Sequence, residues 1–468
     1  MTTQTPTTQT HEAMSTADDP RPAISADVDA ADGVFHRLPG VSPLAEARRM
    51  GVTAFQVARG GVEFAAGIRP GAPLAPRAAR EVRDVFERLG PTYVKLGQLI
   101  ASSPGVFTPL LSREFESLLD RVAPAPAAAV EQVLTDELGA PPSEVFAEFD
   151  LTPIASASIA QVHTATLHSG ERVVVKVQRP GIAPRLAADV QILTHLARLA
   201  EISEYGRMLS ARDVVDDFAA GLNAEIDFRN EASAMEDFVA GLAETSLADR
   251  VRVPRVHREF TTAAVLTMEY VEAVRIDDVK AVRNAGHDGT ELVRTLLLSF
   301  LESAFHGGVF HGDLHAGNVL VDAQGRLVLL DFGIVGRFDP RTRRIMRRLV
   351  GDLFLRNDYE SAGRALFTLG AVKKPGGTRD GAKDMRRFIA PTAGKGLGSM
   401  SYTDLGKQLA DLARAYDLRL PRELVLVGKQ LLYVEKYMKL LAPNWRALTD
   451  RELFTFMSAM LTEDDPRR

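Results

Sequence analysis

The chain contains no cysteine, which excludes disulfides, thiolate metal sites, iron–sulfur clusters and cysteine nucleophiles. A surplus of positive charge is missing too: 56 Lys and Arg are set against 61 Asp and Glu, a formal net charge of -5. Nucleic-acid binding by counterion release calls for basic residues gathered in excess on one face, so no nucleic-acid partner is expected. Long apolar runs are also absent. LVRTLLLSFLESAF and LVLVGKQLLYV are interrupted by Arg294, Glu302 or Lys429 and fall short of the roughly 20 residues of a membrane span. No transmembrane helix is predicted. The first arginine is Arg21, and no apolar core follows it, so no secretion signal is read; together with the missing cysteine this fits a reducing, cytoplasmic compartment.

What is present is enough apolar material for a large core. Of 468 residues, 46% are hydrophobic and 25% charged, which suggests two or three packed units. Residues 1–38, opening MTTQTPTTQT, are rich in Thr, Gln, Ala, Asp and Pro without apolar period and are expected to be a disordered tail. Residues 39–145 read as a helical extension punctuated by Gly90-Pro91 and Pro124-Ala125-Pro126. From 146 to 273 the texture is β-rich: IASASIAQVHTATL and RVVVKVQ, joined by HSGE, read as a hairpin, and VRVPRVHREFTTAAVLTMEYV as a further β segment. Residues 274–468 are mainly helical, apart from short strands NVLV and RLVLL around AQG. The pattern predicts an α+β, bilobal fold of the protein-kinase type, with a small β-rich lobe, a larger helical lobe and an N-terminal helical extension.

Three segments carry chemistry. HGDLHAGNVLV matches the kinase catalytic-loop pattern H-R-D-L-x-x-x-N at His311, Asp313, Leu314 and Asn318, with Gly312 in place of Arg. In that pattern Asp313 accepts or orients a hydroxyl or water proton, and Asn318 reaches a magnesium ion. RLVLL then leads to Asp331-Phe332-Gly333. Alone this triplet is as readily a turn at a strand end; one hairpin after HGDLHAGN it reads as the carboxylate that meets Mg2+. Lys176 in VVVKVQ approximates V-A-I-K. Strand lysines are commonly solvated, but valines on both sides suggest a buried strand, where an ammonium needs a carboxylate or phosphate. AEIDFRNEASAMEDF offers Glu225, Asp227 and Glu231; Glu231 is the expected ion-pair partner, with Glu225 and Asp227 facing the nucleotide.

The phosphate-covering loop departs from G-x-G-x-x-G-x-V. Ala155, Ala157, Ala160 and Val162 occupy its fixed positions in ASASIAQV, and alanine disfavours the positive φ that glycine allows. A stiffer loop with a different grip on nucleotide is expected.

Taken together, these segments resemble the UbiB/AarF family of atypical kinase-like proteins, which includes the Coq-type quinone-biosynthesis ATPases. The resemblance rests on YVKLGQLIASSPGVFTPLLSREFESLLDRVAP, PIASASIAQVHTATL with its lysine strand, EIDFRNEA, and HGDLHAGNVLV with LLDFG. HGDLHAGN is equally similar to aminoglycoside and choline phosphotransferases; KLGQ and EIDFRNEA decide between them. The resemblance implies ATP and Mg2+ as ligands, and Lys95 and Gln98 on a helix folded across the site where a peptide substrate would lie. It implies Glu225 and Asp227 as an acidic pair engaging that helix or the nucleotide, and backbone from Glu269 to Val271 meeting adenine. Gly312, Leu314, Ala316, Ala234 and Ala273 depart from the family pattern. The activity implied is that of an atypical kinase or ATPase supporting isoprenoid-quinone or related lipid metabolism, with a lipid or quinone precursor as candidate partner. A small-molecule phosphotransferase and a non-catalytic nucleotide-binding scaffold are the other readings. The basic run Arg337, Arg341, Arg343, Arg344, Arg347 and Arg348 reads as a solvated helix face or as contact with an anionic membrane surface. No A-P-E triplet follows the Asp-Phe-Gly soon enough to mark a standard activation segment.

Overall fold

A computed structural model describes residues 40–462 except 69–72, 102–107, 116–122, 204–210, 244, 357, 373–410, 412–414, 417 and 420. The tail expected over 1–38 lies outside the described residues, as do the SSPGVF and ESLLDRV stretches.

Four helices open the described chain: α1 (Pro43–Ala66), α2 (Leu74–Leu89), α3 (Pro91–Ala101) and α4 (Pro109–Phe115). Ser42 caps α1 by accepting the Ala45 N–H. Gly90, at φ 94, turns the chain sharply between α2 and α3, a conformation open to glycine at little cost. Val85, Leu89, Tyr93, Leu96, Ile100 and Phe115 form the core of this extension.

After α5 (Ala127–Leu138) and α6 (Pro142–Val145) come β1 (Glu148–Phe149), β2 (Ala155–Ser156), β3 (Ala160–Thr166) and β4 (Arg172–Gln178). HSGE closes the β3–β4 hairpin, with the Leu167 N–H donating to Glu171 O at 2.8 Å. Helices α7 (Ile182–Ala200), α8 (Ala211–Glu225) and α9 (Phe228–Leu242) follow, then β5 (Val251–Arg252) and β6 (Val265–Glu269). The small-lobe sheet runs β1-β3-β4-β6 with β2 added on β3, antiparallel throughout. Strand alternation decides the faces: Val173, Val175 and Val177 are buried with Leu134 and Phe146, which turns Lys176 to the opposite side.

One buried carboxylate ties the extension to this lobe. Asp189 on α7 is wholly buried; it accepts from Arg49 of α1 at 2.5 Å and from the Thr92 hydroxyl of α3 at 2.6 Å. Its charge is thereby paired and hydrogen-bonded, and the KLGQ helix is fixed against α7.

The larger lobe contains β7 (Ala273–Arg275), α10 (Val279–Asn284), α11 (Gly289–Glu302), β8 (Val309–His311), β9 (Val319–Asp322), β10 (Leu327–Leu329), β11 (Val335–Arg337), α12 (Pro340–Phe354), α13 (Tyr359–Leu369), β12 (Ala371–Val372), β13 (Leu418–Arg419), α14 (Arg422–Leu441) and α15 (Arg451–Thr462). Strands order as β5-β10-β9-β7, β11-β8 and β12-β13. Leu296, Phe300, Phe310, Phe332 and Tyr437 are buried in its core. This is the kinase-like α+β layout that the sequence predicts. No helix among the described residues is long and apolar enough to cross a membrane.

Candidate active site

The cleft is built from both lobes. Lys176 points from β4 toward α9, where its ammonium donates to both carboxylate oxygens of Glu231 at 2.8 and 2.9 Å and to Asp331 Oδ1 at 3.3 Å. Its Nζ also lies 5.1 Å from the Phe228 ring centre, within cation–π range. The Glu231 side chain is 4% exposed and that of Lys176 14%, whereas Asp331 is 50% exposed. Glu231 and Lys176 thus form a closed inner pair, and Asp331 lies at its open edge.

The three charges shift one another. Burial weakens the Lys176 ammonium, but the carboxylates of Asp331, Glu231 and Glu225 outweigh it and hold its pKa above the ordinary lysine value. Burial raises Glu231 to about 7, with Asp331 adding to the rise and Lys176 opposing it. For half-exposed Asp331 partial desolvation pushes upward, yet Lys176 and the Gly333 N–H carry its carboxyl well below the usual range.

Asp331 is held in an unusual backbone conformation. Its φ is 57, the one positive value at a non-glycine among the described residues, and such a conformation costs about 1–3 kcal/mol. Neighbouring contacts impose it. Phe332 is buried between Phe238, at 5.2 Å, and His311, at 4.7 Å, so the next side chain outward is the carboxylate.

The catalytic loop starts where β8 ends. His311 Nε2–H donates to Leu330 O at 2.8 Å, and its Nδ1 accepts the Asp313 N–H at 3.0 Å. That pair of bonds assigns the Nε2–H tautomer, and burial lowers the ring pKa from its ordinary value. Asn318 donates from Nδ2 to Asp313 O at 3.0 Å, which closes the loop on itself. Gly312, where the kinase pattern has Arg, is explained by its neighbour: a Cβ there would lie 2.8 Å from Ile334 O, and the Gly312 N–H donates to that same oxygen at 2.8 Å.

The alanine loop is a small hairpin. Ala155 pairs with Val162 across β2 and β3, and the Ala157 N–H donates to Ala160 O at 2.9 Å. None of the three alanines adopts positive φ, so the close turn needs no glycine. Arg179, just past β4, fastens it by donating to Ala157 O at 2.8 Å and to the Ser156 hydroxyl at 2.7 Å.

The remaining expected residues divide. Lys95 on α3 forms an ion pair with Glu225 at the end of α8, and Gln98 is half-buried one turn later. A Cβ at Gly333 would touch Asp331, Glu225 and Glu231 within 4.0 Å, so these acids converge. Asp227 lies just ahead of α9. Its side chain caps α9 through the Arg229 N–H at 3.1 Å and pairs with the Arg229 guanidinium at 2.6 Å, because the first turn of α9 needs an acceptor for its N–H groups. Glu269 directs its carboxylate to Arg252. Its N–H and that of Tyr270 donate to Arg255 O and Arg172 O, and among the described residues no partner takes the Val271 N–H. In the basic run, Arg337 pairs with Asp237 at 2.9 Å, while Arg343 and Arg347 donate to the carbonyls of His306 and Phe305. The Arg343 and Arg347 guanidinium groups thus cap the carbonyls of the Ser303–Gly307 turn that follows α11.

Helix α14 contributes residues that local reading of the sequence passed over. Lys429 Nζ lies 2.9 Å from Asp313 Oδ1. Gln430 donates to Gly312 O at 2.6 Å and accepts from the Leu314 N–H at 2.8 Å, and the Tyr437 hydroxyl donates to Leu314 O at 2.8 Å. Their shared signal is two adjacent polar residues followed by a tyrosine seven and eight positions on, a spacing that puts them on one side of the helix. Lys429 had seemed only to interrupt an apolar run.

Asp331 and Asn318 supply hard oxygen donors, and among the described residues no group of three or more His, Asp or Glu could cage a metal. That donor set fits Mg2+, which is commonly held by one or two carboxylates together with phosphate oxygens and water.

Comparison with known proteins agrees with this geometry. The family model of the ABC1 atypical kinase-like domain matches residues 117–365, and that of the UbiB helical domain matches 385–446. An uncharacterized protein of Mycobacterium tuberculosis is 52% identical over 418 residues, covering 89% of this chain and 86% of the relative. A chloroplastic aarF domain-containing protein kinase of Arabidopsis thaliana, itself uncharacterized, is 35% identical, covering 80% of this chain and 73% of its own. A probable protein kinase UbiB of Marinobacter nauticus is 32% identical, with 79% and 68% covered. The chain belongs to the ABC1/UbiB family of atypical kinase-like proteins.

Proposed function

We propose that the protein binds ATP with Mg2+ in this cleft and catalyses phosphoryl transfer to water or to a hydroxyl acceptor. The observation that carries the reading is Lys176 bridging Glu231 and Asp331 opposite Asp313 and Asn318.

In this reading Lys176, held by Glu231, contacts the α- and β-phosphates, and Val271 N–H meets adenine beside Glu269. Ala155, Ala157 and Ala160, with Val162, cover the phosphates. Asp331 and Asn318 hold Mg2+, which when bound neutralises charge on the phosphate oxygens. Asp313 orients the acceptor oxygen and takes its proton. The acceptor oxygen bonds to the γ-phosphorus as the bond to the β–γ bridging oxygen breaks, and that electron pair leaves on ADP. Positioning and charge neutralisation provide most of the rate.

Lys95 and Gln98, with Glu225, form the wall on the side where a peptide would approach, which supports a small or lipid acceptor over a generic protein. A role in isoprenoid-quinone or related lipid metabolism, at an anionic membrane surface, rests on the resemblance to UbiB proteins. Purified protein should hydrolyse ATP, and anionic liposomes with a phenolic quinone-precursor mimic should stimulate it. Asp313→Asn should lower kcat by about 100-fold or more with nucleotide affinity retained. Full activity in that variant would refute the role given to Asp313, and transfer to a soluble alcohol without lipid stimulation would favour a small-molecule phosphotransferase.

A further inference from the structure

Asp313 is gripped from outside its own loop. Lys429 contacts Oδ1 at 2.9 Å, with side-chain exposures of 28% for the lysine and 21% for the aspartate. Tyr433 lies one turn further along α14, and burial, followed by the negative charge of Asp313, raises its phenol pKa above the ordinary value. The ammonium of Lys429 lies 5.8 Å from the Tyr433 ring centre, so the two side chains pack together. An isolated surface ion pair contributes little. This one differs because Gln430, the next residue, is locked to both Gly312 and Leu314, which allows Lys429 little freedom relative to the loop.

We infer that Lys429 is a positioning residue for phosphoryl transfer: its ammonium fixes one oxygen of Asp313 so that the other is presented to the acceptor. The inference rests on the proposed function. The helical segment that follows the kinase-like domain thus completes the active site, rather than only packing behind it.

The test is steady-state ATP turnover by full-length wild-type, Lys429→Met and Lys429→Arg proteins, with nucleotide binding measured by calorimetry on the same preparations. Lys429→Met should lower kcat about 10-fold or more while KM for ATP and nucleotide Kd change less than about 3-fold, and Lys429→Arg should recover most of the loss. The Asp313→Asn background supplies the control for folding. If Lys429 acts through Asp313, adding Lys429→Met there should cost less than about 2-fold further. Unchanged kcat in Lys429→Met, or losses that multiply in the double variant, would overturn the inference while leaving the proposed function standing. Nucleotide binding by the wild type without any turnover would overturn both.

Discussion

Replacing Gln430 with Leu removes a side chain of similar size that is wholly buried and hydrogen-bonded to two backbone groups of the catalytic loop. Gly312 O loses its 2.6 Å donor and the Leu314 N–H its 2.8 Å acceptor. Both lie in buried surroundings, and a buried polar group left unpaired costs about 1–3 kcal/mol. The two together should cost about 2–5 kcal/mol, with part offset by the more apolar side chain. Tyr437→Phe removes a single bond, at 2.8 Å to Leu314 O, and should cost about 1–2 kcal/mol. Denaturant unfolding can be followed by the fluorescence of Trp445, the single tryptophan of the chain, four residues beyond α14. Circular dichroism in parallel checks that the transitions coincide. A loss below about 1 kcal/mol for Gln430→Leu, or a larger loss for Tyr437→Phe, would refute the claim that α14 holds the catalytic loop through these bonds.

Lys176→Met should destabilise the nucleotide-free protein by about 2–4 kcal/mol, since it leaves Glu231 buried beside Asp331 without its cation; adding Glu231→Gln should recover part of this in thermal melts, and no recovery would contradict the pairing. Arg179→Leu should speed amide hydrogen exchange in residues 155–160 without changing exchange in α14, because the guanidinium donates to the alanine hairpin and to Ala123 O; protection at the wild-type level would show that the loop closes without it. His163 is wholly buried, and burial lowers its pKa from 6.5, against a hydrogen bond to Asp150 O. Its folded pKa lies below its unfolded one, so its contribution to stability is complete above pH 6.5 and is lost as pH falls toward the folded value. His163→Leu should therefore flatten the fall in melting temperature between pH 7 and about pH 5, and an unchanged slope would place that dependence elsewhere.

How legible the protein was depended on sequence distance. The hairpin ending in Lys176, the strands around Asp331 and the helix carrying Glu231 could be read because each is local and its pattern compact. Asp227, expected to engage the KLGQ helix or the nucleotide, caps α9 and pairs with Arg229; an aspartate opening a helical stretch is also a capping signal. Of the arginines after Asp339, expected as a solvated face or a membrane contact, Arg341, Arg344 and Arg348 are exposed, while Arg343 and Arg347 reach the carbonyls of His306 and Phe305, which nothing nearby in sequence announces. Gln430 and Tyr437 meet the catalytic loop across separations of 116 and 123 residues. No local periodicity encodes such a contact; it exists only once the α14 helix packs against the loop.

The central claim is a Mg2+-dependent nucleotide site in which Asp331 is the metal carboxylate. Calorimetric titration of ATP into wild type and Asp331→Asn, each with and without Mg2+, tests it most directly. Wild type should bind tightly only with Mg2+, and the variant, which keeps the side-chain shape but lacks the charge, should lose that dependence and most of the affinity. Equal Mg2+-dependent binding by both proteins would contradict the account.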